Sequence, residues 1–181
     1  MTVRAKVWTR DEYERLVRAG AFDPGSRVQL VQGEIVEMTP QSAAHAAAVE
    51  LVQRALLRLV GPEQAVRVQM PLALGADSEP EPDLAVVAGD PRSRTAQHPT
   101  TAALVVEVAD TTLEFDRTRK LALYARAMIP EYWIVNLVDR VLEVYRDPLE
   151  GTYRTIRRLG AHDRVVPLCA LGPLVVADLL P

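Results

Sequence analysis

At 181 residues with 49% hydrophobic content, the chain can bury a real core and fits one domain spanning 1–181. A formal charge of -3 excludes a protein that coats nucleic acid through a broad cationic surface, and a single cysteine, Cys169, excludes a disulfide framework or a paired-cysteine zinc motif. Residues 1–10 lack a signal-like apolar core and no stretch reaches the roughly 20 apolar residues of a bilayer span, so a soluble, cytoplasmic protein with no membrane partner is expected.

Thr9 can cap a short amphipathic helix over 10–19, stopped by Gly20. Residues 27–38 alternate around Gln32-Gly33, as a hairpin does. Ser42 can cap the longest helix, running to about Val60, with Ala47, Leu51, Ala55 and Leu59 at helical spacing before Gly61-Pro62. Residues 65–74 read as a strand, 75–82 as a polar, proline-rich loop, 83–88 as a strand and 90–101 as a loop. The run 103–108 is a strand, 113–128 a helix broken before Pro130, 131–137 and 140–145 a hairpin, and 153–159 a further strand. An apolar stretch over 174–180 closes the chain. One crossover helix between two apolar strands predicts a mixed α/β core.

Glu107 interrupts the apolar run Ala103-Leu104-Val105-Val106-Glu107-Val108. An ionised carboxylate buried there costs several kcal/mol or more unless it is paired, hydrogen-bonded or bound to a cation. Asp83 opens a second apolar run. Taken singly, Asp83 can be a residue that turns the chain into its strand, and Glu107 can pair with one of the many arginines. Taken together on neighbouring strands, at roughly 5 Å, they have the separation at which two carboxylates share a divalent ion. Magnesium suits hard oxygen donors, and the Val108 carbonyl can add one more.

Of 21 basic residues only Lys6 and Lys120 are lysine. Asp116, Lys120 and Tyr124 fall at i, i+4 and i+8 on one helix face. An exposed Asp–Lys pair is the bland account; beside a metal and a phosphate, a lysine whose pKa falls on burial can orient or deprotonate the attacking water. Two close carboxylates also repel, so neutralising either is expected to stabilise the metal-free protein.

The succession Gly33-Glu34-Ile35-Val36, His45, Pro82-Asp83, Val106-Glu107-Val108, Asp116-x-x-x-Lys120-x-x-x-Tyr124 and Pro130-Glu131-Tyr132-Trp133-Ile134-Val135 resembles the Uma-type family of putative restriction endonucleases, within the PD-(D/E)XK nuclease superfamily. The likeness spans nearly the whole chain and is most specific over 104–136. It implies a restriction-endonuclease-like fold: a mixed central sheet flanked by helices, with C-terminal β-hairpins and acidic metal ligands on central strands. Asp83 and Glu107 would be the two acids. The motif lysine, two residues past the second acid, is Ala109 here, and the resemblance transfers its role to Lys120. Asp110 departs from a serine common among relatives.

Glu34 is either an extra carboxylate of the site or a solvent-facing turn residue, and His45 either a phosphate contact or a partly buried helix residue. Tyr132 and Trp133 read as core rather than as a base-stacking platform. The function expected is hydrolysis of nucleic-acid phosphodiesters, with DNA preferred, by Asp83, Glu107 and Lys120 with Mg²⁺ or Mn²⁺. Asp83, Glu107 and Val108 hold the ion, and Glu34, His45, Asp116 and Tyr124 support. The alternative is a catalytically inactive module that binds nucleic acid or protein. A homodimer built on the hairpins at 131–159 fits enzymes that cut both strands.

Overall fold

The computed structural model describes residues 4–181. Local chemistry sets the first elements. Thr9 and Glu12 exchange side-chain and backbone hydrogen bonds in a capping box that starts α1 (Arg10–Arg18). β1 (Arg27–Val31) and β2 (Glu34–Met38) pair from Arg27↔Met38 to Val31↔Glu34. Their two-residue turn, Gln32-Gly33, has φ of 51° and 78°, the doubly left-handed backbone that matches the twist of a hairpin. The Ser42 side chain accepts from the His45 N–H and caps α2 (Ala43–Leu57).

The central sheet has six strands in the order β3-β4-β5-β6-β7-β8. They are β3 (Gln64–Val68), β4 (Leu84–Ala88), β5 (Leu104–Ala109), β6 (Glu131–Asn136), β7 (Val141–Leu149) and β8 (Thr152–Leu159). Only β5 and β6 run parallel, so only they need a crossover. That crossover is α3 (Leu113–Phe115), a π-turn (Asp116–Lys120) and α4 (Leu121–Arg126) in direct succession. It ends where Met128, at φ 56°, takes the left-handed backbone typical of helix C-termini, two residues before Pro130.

Two expectations need correction. β3 stops at Val68 rather than at Leu74: Gln69 turns left-handed at φ 50°, and the chain then leaves the sheet to form a local bridge between Leu74 and Ser78. The helix over 113–128 is not uniform, because its middle turn is widened. A small ladder of β9 (Arg164–Val165) with β10 (Leu174–Val175), followed by a 3-10 turn (Val176–Leu179), completes the chain.

Alternation along the strands sends side chains to both faces. On one face Val49, Val52 and Leu56 of α2 pack on Val86, Val106, Trp133 and Val144, and Val176 and Leu179 join them. On the other, Leu123 and Tyr124 of α4 pack on Val105, Ile134 and a cluster of Tyr132, Tyr145 and Tyr153. Tyr132 and Trp133 are fully buried, as core residues are. Among the described residues no helix is long and apolar enough to cross a membrane.

Glu131, at the start of β6, is fully buried and satisfied by the Trp133 indole (2.9 Å), the Arg146 guanidinium (2.5 and 2.8 Å) and the Leu168 N–H (2.6 Å). It ties the C-terminal segment to the sheet. Glu131→Ala would strand Arg146 and the Leu168 amide, so a destabilisation of about 3 kcal/mol or more is expected in chemical denaturation. A loss below about 1 kcal/mol would place the tie elsewhere.

Candidate active site

Asp83 lies just before β4, where the ladder to β5 ends at Leu84↔Val106. The Val108 N–H, pointing toward β4 but past its end, donates instead to Asp83 Oδ2 at 2.9 Å. Glu107 lies one residue earlier on β5 and faces α4. Its Oε1 accepts from the Tyr124 hydroxyl at 2.6 Å and from Lys120 Nζ at 2.8 Å, and its Oε2 sits 3.4 Å from the Asp83 backbone nitrogen.

The widened turn supplies the other groups. The Leu121 N–H bonds back to the Asp116 carbonyl, five residues away, so the turn holds one residue more than an α-helical one. Asp116 and Lys120 both stay buried on the sheet side. Asp116 Oδ1 lies 4.0 Å from Lys120 Nζ, and its Oδ2 accepts from the Thr112 hydroxyl at 2.6 Å. From the opposite wall His45 Nε2 reaches Asp83 Oδ2 at 3.1 Å.

These groups border a cavity of about 260 Å³ at the end of the sheet, walled by the β1–β2 hairpin and the start of α2. Asp83, Glu107, Asp116 and Lys120 are 8, 3, 2 and 6% exposed. Three buried carboxylates face one lysine and one histidine, which leaves an excess of negative charge. Burial, with Asp116 and Asp83 nearby, pushes Glu107 up to about 7 although Lys120 pulls it down. Burial also raises Asp116 against the pull of Lys120 and Thr112. Asp83 goes the other way: burial would raise it, but the His45 hydrogen bond, the His45 and Lys120 charges and the Val108 N–H hold it below its ordinary value. Burial would lower His45 and Lys120, yet the surrounding carboxylates hold both above their ordinary values.

Burial therefore does not depress Lys120, contrary to the sequence-based expectation; it is a locked ammonium. The expected stability gain on neutralising Glu107 keeps its sign: the raised pKa means that the metal-free fold favours the neutral carboxyl at neutral pH and above, and Lys120 retains Asp116 at 4.0 Å.

Of the residues singled out from sequence, Asp83, Glu107, Val108, Lys120, Asp116 and His45 line this one cleft. Tyr124 lies behind it, fully buried on Glu107. Glu34 does not join them: its side chain is 65% exposed, pairs with Arg119 at 3.1 Å and lies outside the cleft lining. Asp110 accepts from the Ser42 hydroxyl at 2.7 Å, linking the loop after β5 to the α2 cap. Sequence reading missed Gln69, whose amide lies 3.3 Å from Asp83 Oδ1 and whose backbone N–H bonds the Asp83 carbonyl. It also missed Thr112, although a threonine four residues before a buried aspartate at a helix start is a readable signal. Among the described residues no group of three or more His, Cys, Asp or Glu side chains is spaced to hold a metal ion; any ion here would rest on two carboxylates and backbone oxygen.

Residues 10–175 match the family described as "Uma2: Putative restriction endonuclease". The chain belongs to this family. A crystal structure of a putative nuclease from Anabaena variabilis superposes with a TM-score of 0.72 at 17% identity, covering 94% of this chain and 96% of that one. The likeness establishes a shared fold across both chains. A search of curated proteins found no match. As a Uma2 member with this fold, the chain is restriction-endonuclease-like, and family and fold together support a nuclease acting on nucleic acid.

The raised Glu107 pKa carries a testable sign. Folded Glu107 holds its proton up to about 7 against an ordinary 4.5, so its contribution to stability is complete below 4.5 and is lost as pH rises through about 7. His45, also raised, loses its contribution as pH rises above 6.5. Asp83, held low, contributes fully above 3.8 and is silent in that window. In chelator the melting temperature should therefore fall between about pH 5 and 8, and Glu107→Gln, which fixes the neutral form, should flatten that fall and melt no lower than wild type at about pH 8. A wild-type profile that is flat or rises over this range would contradict the assignment.

Proposed function

We propose that this Uma2 protein is a divalent-metal-dependent endonuclease that hydrolyses phosphodiester bonds of nucleic acid, with DNA as its substrate. The observation that carries the reading is the meeting of Asp83, Glu107 and Lys120 in one cleft. They come from two adjacent strands and the crossover helix of a chain in this family.

The residues fit a hard divalent cation. Their donors are oxygens, and their charges sum to a buried negative excess that a cation relieves. The Ala109 carbonyl accepts from Leu137 on the β6 side, whereas the Val108 N–H points to Asp83. Alternation along β5 then turns the Val108 carbonyl to the Asp83 side as well. Asp83, Glu107 and that carbonyl would hold Mg²⁺ or Mn²⁺, which when bound supplies polarisation of the scissile phosphate and acidification of a water.

The chain's own groups do the rest. Tyr124 fixes the Glu107 carboxylate through Oε1. His45 and the Val108 N–H fix Asp83. Lys120, kept protonated by its carboxylate neighbours, acts as a hydrogen-bond donor to a phosphate oxygen or to the attacking water rather than as a general base. Its compact charge suits this task better than a planar guanidinium.

Calorimetry with Mn²⁺ tests the ion site. Affinity should drop about tenfold or more in Asp83→Asn and in Glu107→Gln, each with a cooperative melt. Undiminished binding in both variants would remove the site.

Cleavage of plasmid and of single-stranded oligonucleotide, in Mg²⁺ and in Mn²⁺, tests the chemistry. Lys120→Ala should lose about a hundredfold or more in turnover while Mn²⁺ affinity holds or tightens, and Lys120→Arg should fail as well. Full activity in the arginine variant would reduce the role to charge alone. Nucleic-acid binding by wild type with no cleavage in either metal would favour the inactive-module alternative.

A further inference from the structure

Glu107 pairs with Ile134 in the parallel ladder, and Ile134 pairs with Glu143 in the antiparallel one. The two glutamates thus stand at one height on the α4 face, two strand spacings or roughly 10 Å apart. Each meets a cation from the same π-turn. Lys120 reaches Glu107 at 2.8 Å; Arg117 grips Glu143 with both arms of its fork, Nη2–Oε1 at 2.5 Å and Nε–Oε2 at 3.0 Å.

Glu143 is more than a surface partner. It is 4% exposed and lies outside the cleft lining. It also accepts from the Asn136 amide at 2.9 Å and the Tyr145 hydroxyl at 2.7 Å. Burial would raise its pKa, but the bonds from Arg117, Asn136 and Tyr145 hold it low, so it is a fixed anion. Asn136 Oδ1 in turn accepts from the Asp139 N–H at 2.9 Å, which anchors the network in the β6–β7 turn.

Lys120 at Glu107 and the Tyr132 hydroxyl, which donates to the Asp116 carbonyl at 3.1 Å, hold the turn over β5 and β6 only, and a π-turn has a ready alternative in the tighter α-helical register. A further anchor on β7, about 10 Å from Glu107, removes that freedom. Residue choice agrees: arginine stands where a planar two-point grip is needed and lysine where a point donor is. The third basic residue of the turn, Arg119, pairs with exposed Glu34 and reaches the Val31 carbonyl at 3.5 Å, so it faces the β1–β2 hairpin rather than the central sheet.

We propose that Arg117 and Glu143 are positioning residues of the site: their bidentate pair anchors the π-turn on β7 and sets where the Lys120 ammonium and the Asp116 carboxylate stand against β5. The effect on turnover rests on the nuclease reading above; the effect on the position of Lys120 does not.

The composition provides the probe. Lys6 and Lys120 are the only lysines, and their side chains are 55% and 7% exposed, so protein labelled with ¹³C at lysine Cε gives two resonances that burial separates. Arg117→Gln and Glu143→Gln should each shift or broaden the Lys120 resonance. Tyr145→Phe, which removes one bond and no charge, should do so to a smaller extent. With an oligonucleotide substrate, the two charge variants should lose about tenfold or more in kcat with KM little changed, as misplacement by a fraction of an ångström would give.

Glu131→Gln is the control for a merely structural effect, since it weakens an equally buried network on the opposite face. It should lower the melting temperature and leave the Lys120 resonance in place. An unmoved Lys120 resonance in Arg117→Gln and Glu143→Gln would overturn the proposal, as would an equal shift in Glu131→Gln. If wild type cleaves nothing, the nuclease reading falls, and the resonances alone decide whether the anchor exists.

Discussion

The geometry of the cleft depends on the buried ion pair between Lys120 and Glu107. An exposed pair of this kind contributes at most about 1 kcal/mol and holds nothing in place. Here both side chains are almost wholly withdrawn from water, at 7 and 3% exposure. Net stabilisation by such a pair is small because desolvation opposes it, and Lys120 has Asp116 at 4.0 Å as well. The pair therefore constrains more than it stabilises. It requires a charged residue inside an apolar strand, brings the crossover helix down on β5, and sets Tyr124 against the same carboxylate.

Charge within the cleft is not balanced by that pair. Asp83 and Asp116 remain, with His45 against Asp83 at 3.1 Å, and burial together with these like charges raises the pKa of Glu107. A fold selected for stability alone would reduce that surplus. Proteins tolerate uncompensated buried charge where a ligand completes it, and the oxygens of Asp83, Glu107 and Val108 would suit a hard cation, as proposed above. The same surplus explains why Lys120 stays protonated despite complete burial: desolvation acts against its charge, but three carboxylates act for it.

Much of this was legible in sequence because it is written in short-range patterns. Glu107 declared itself by standing in a valine run, Thr9 and Ser42 by preceding helices, and Gln32-Gly33 by its turn chemistry. Other features depend on pairings between residues far apart in the chain. Gln69 reads as one more polar residue after a strand until its left-handed backbone folds it onto Asp83. Glu143 alternates with apolar residues in an ordinary way, and only the register through Ile134 sets it level with Glu107. The π-turn was hidden for a different reason: Asp116, Lys120 and Tyr124 have the same spacing in a uniform helix, and periodicity cannot register one residue added to a turn. Glu34 stayed open between an extra carboxylate and a solvent-facing turn residue because a glutamate beside a turn glycine carries no mark of which side of its hairpin it faces, and its exposure agrees with the second.

The displaced lysine follows from the geometry of β5. Residues 105, 107 and 109 share one face, so a lysine at position 109 would rise beside Glu107 from the strand itself. Ala109 is instead fully buried in the core cluster beneath α4, with no room for a longer side chain or a charge. Placing the amine on the crossover helix reaches the same carboxylate from above. That solution has a structural consequence. A lysine on the strand inherits its position from the sheet ladder, whereas a lysine on a helix stands only where the helix is held. On the proposed reading, the widened turn and its attachment to β7 through Arg117 and Glu143 meet that added requirement, so Lys120 and the distant glutamate form one arrangement.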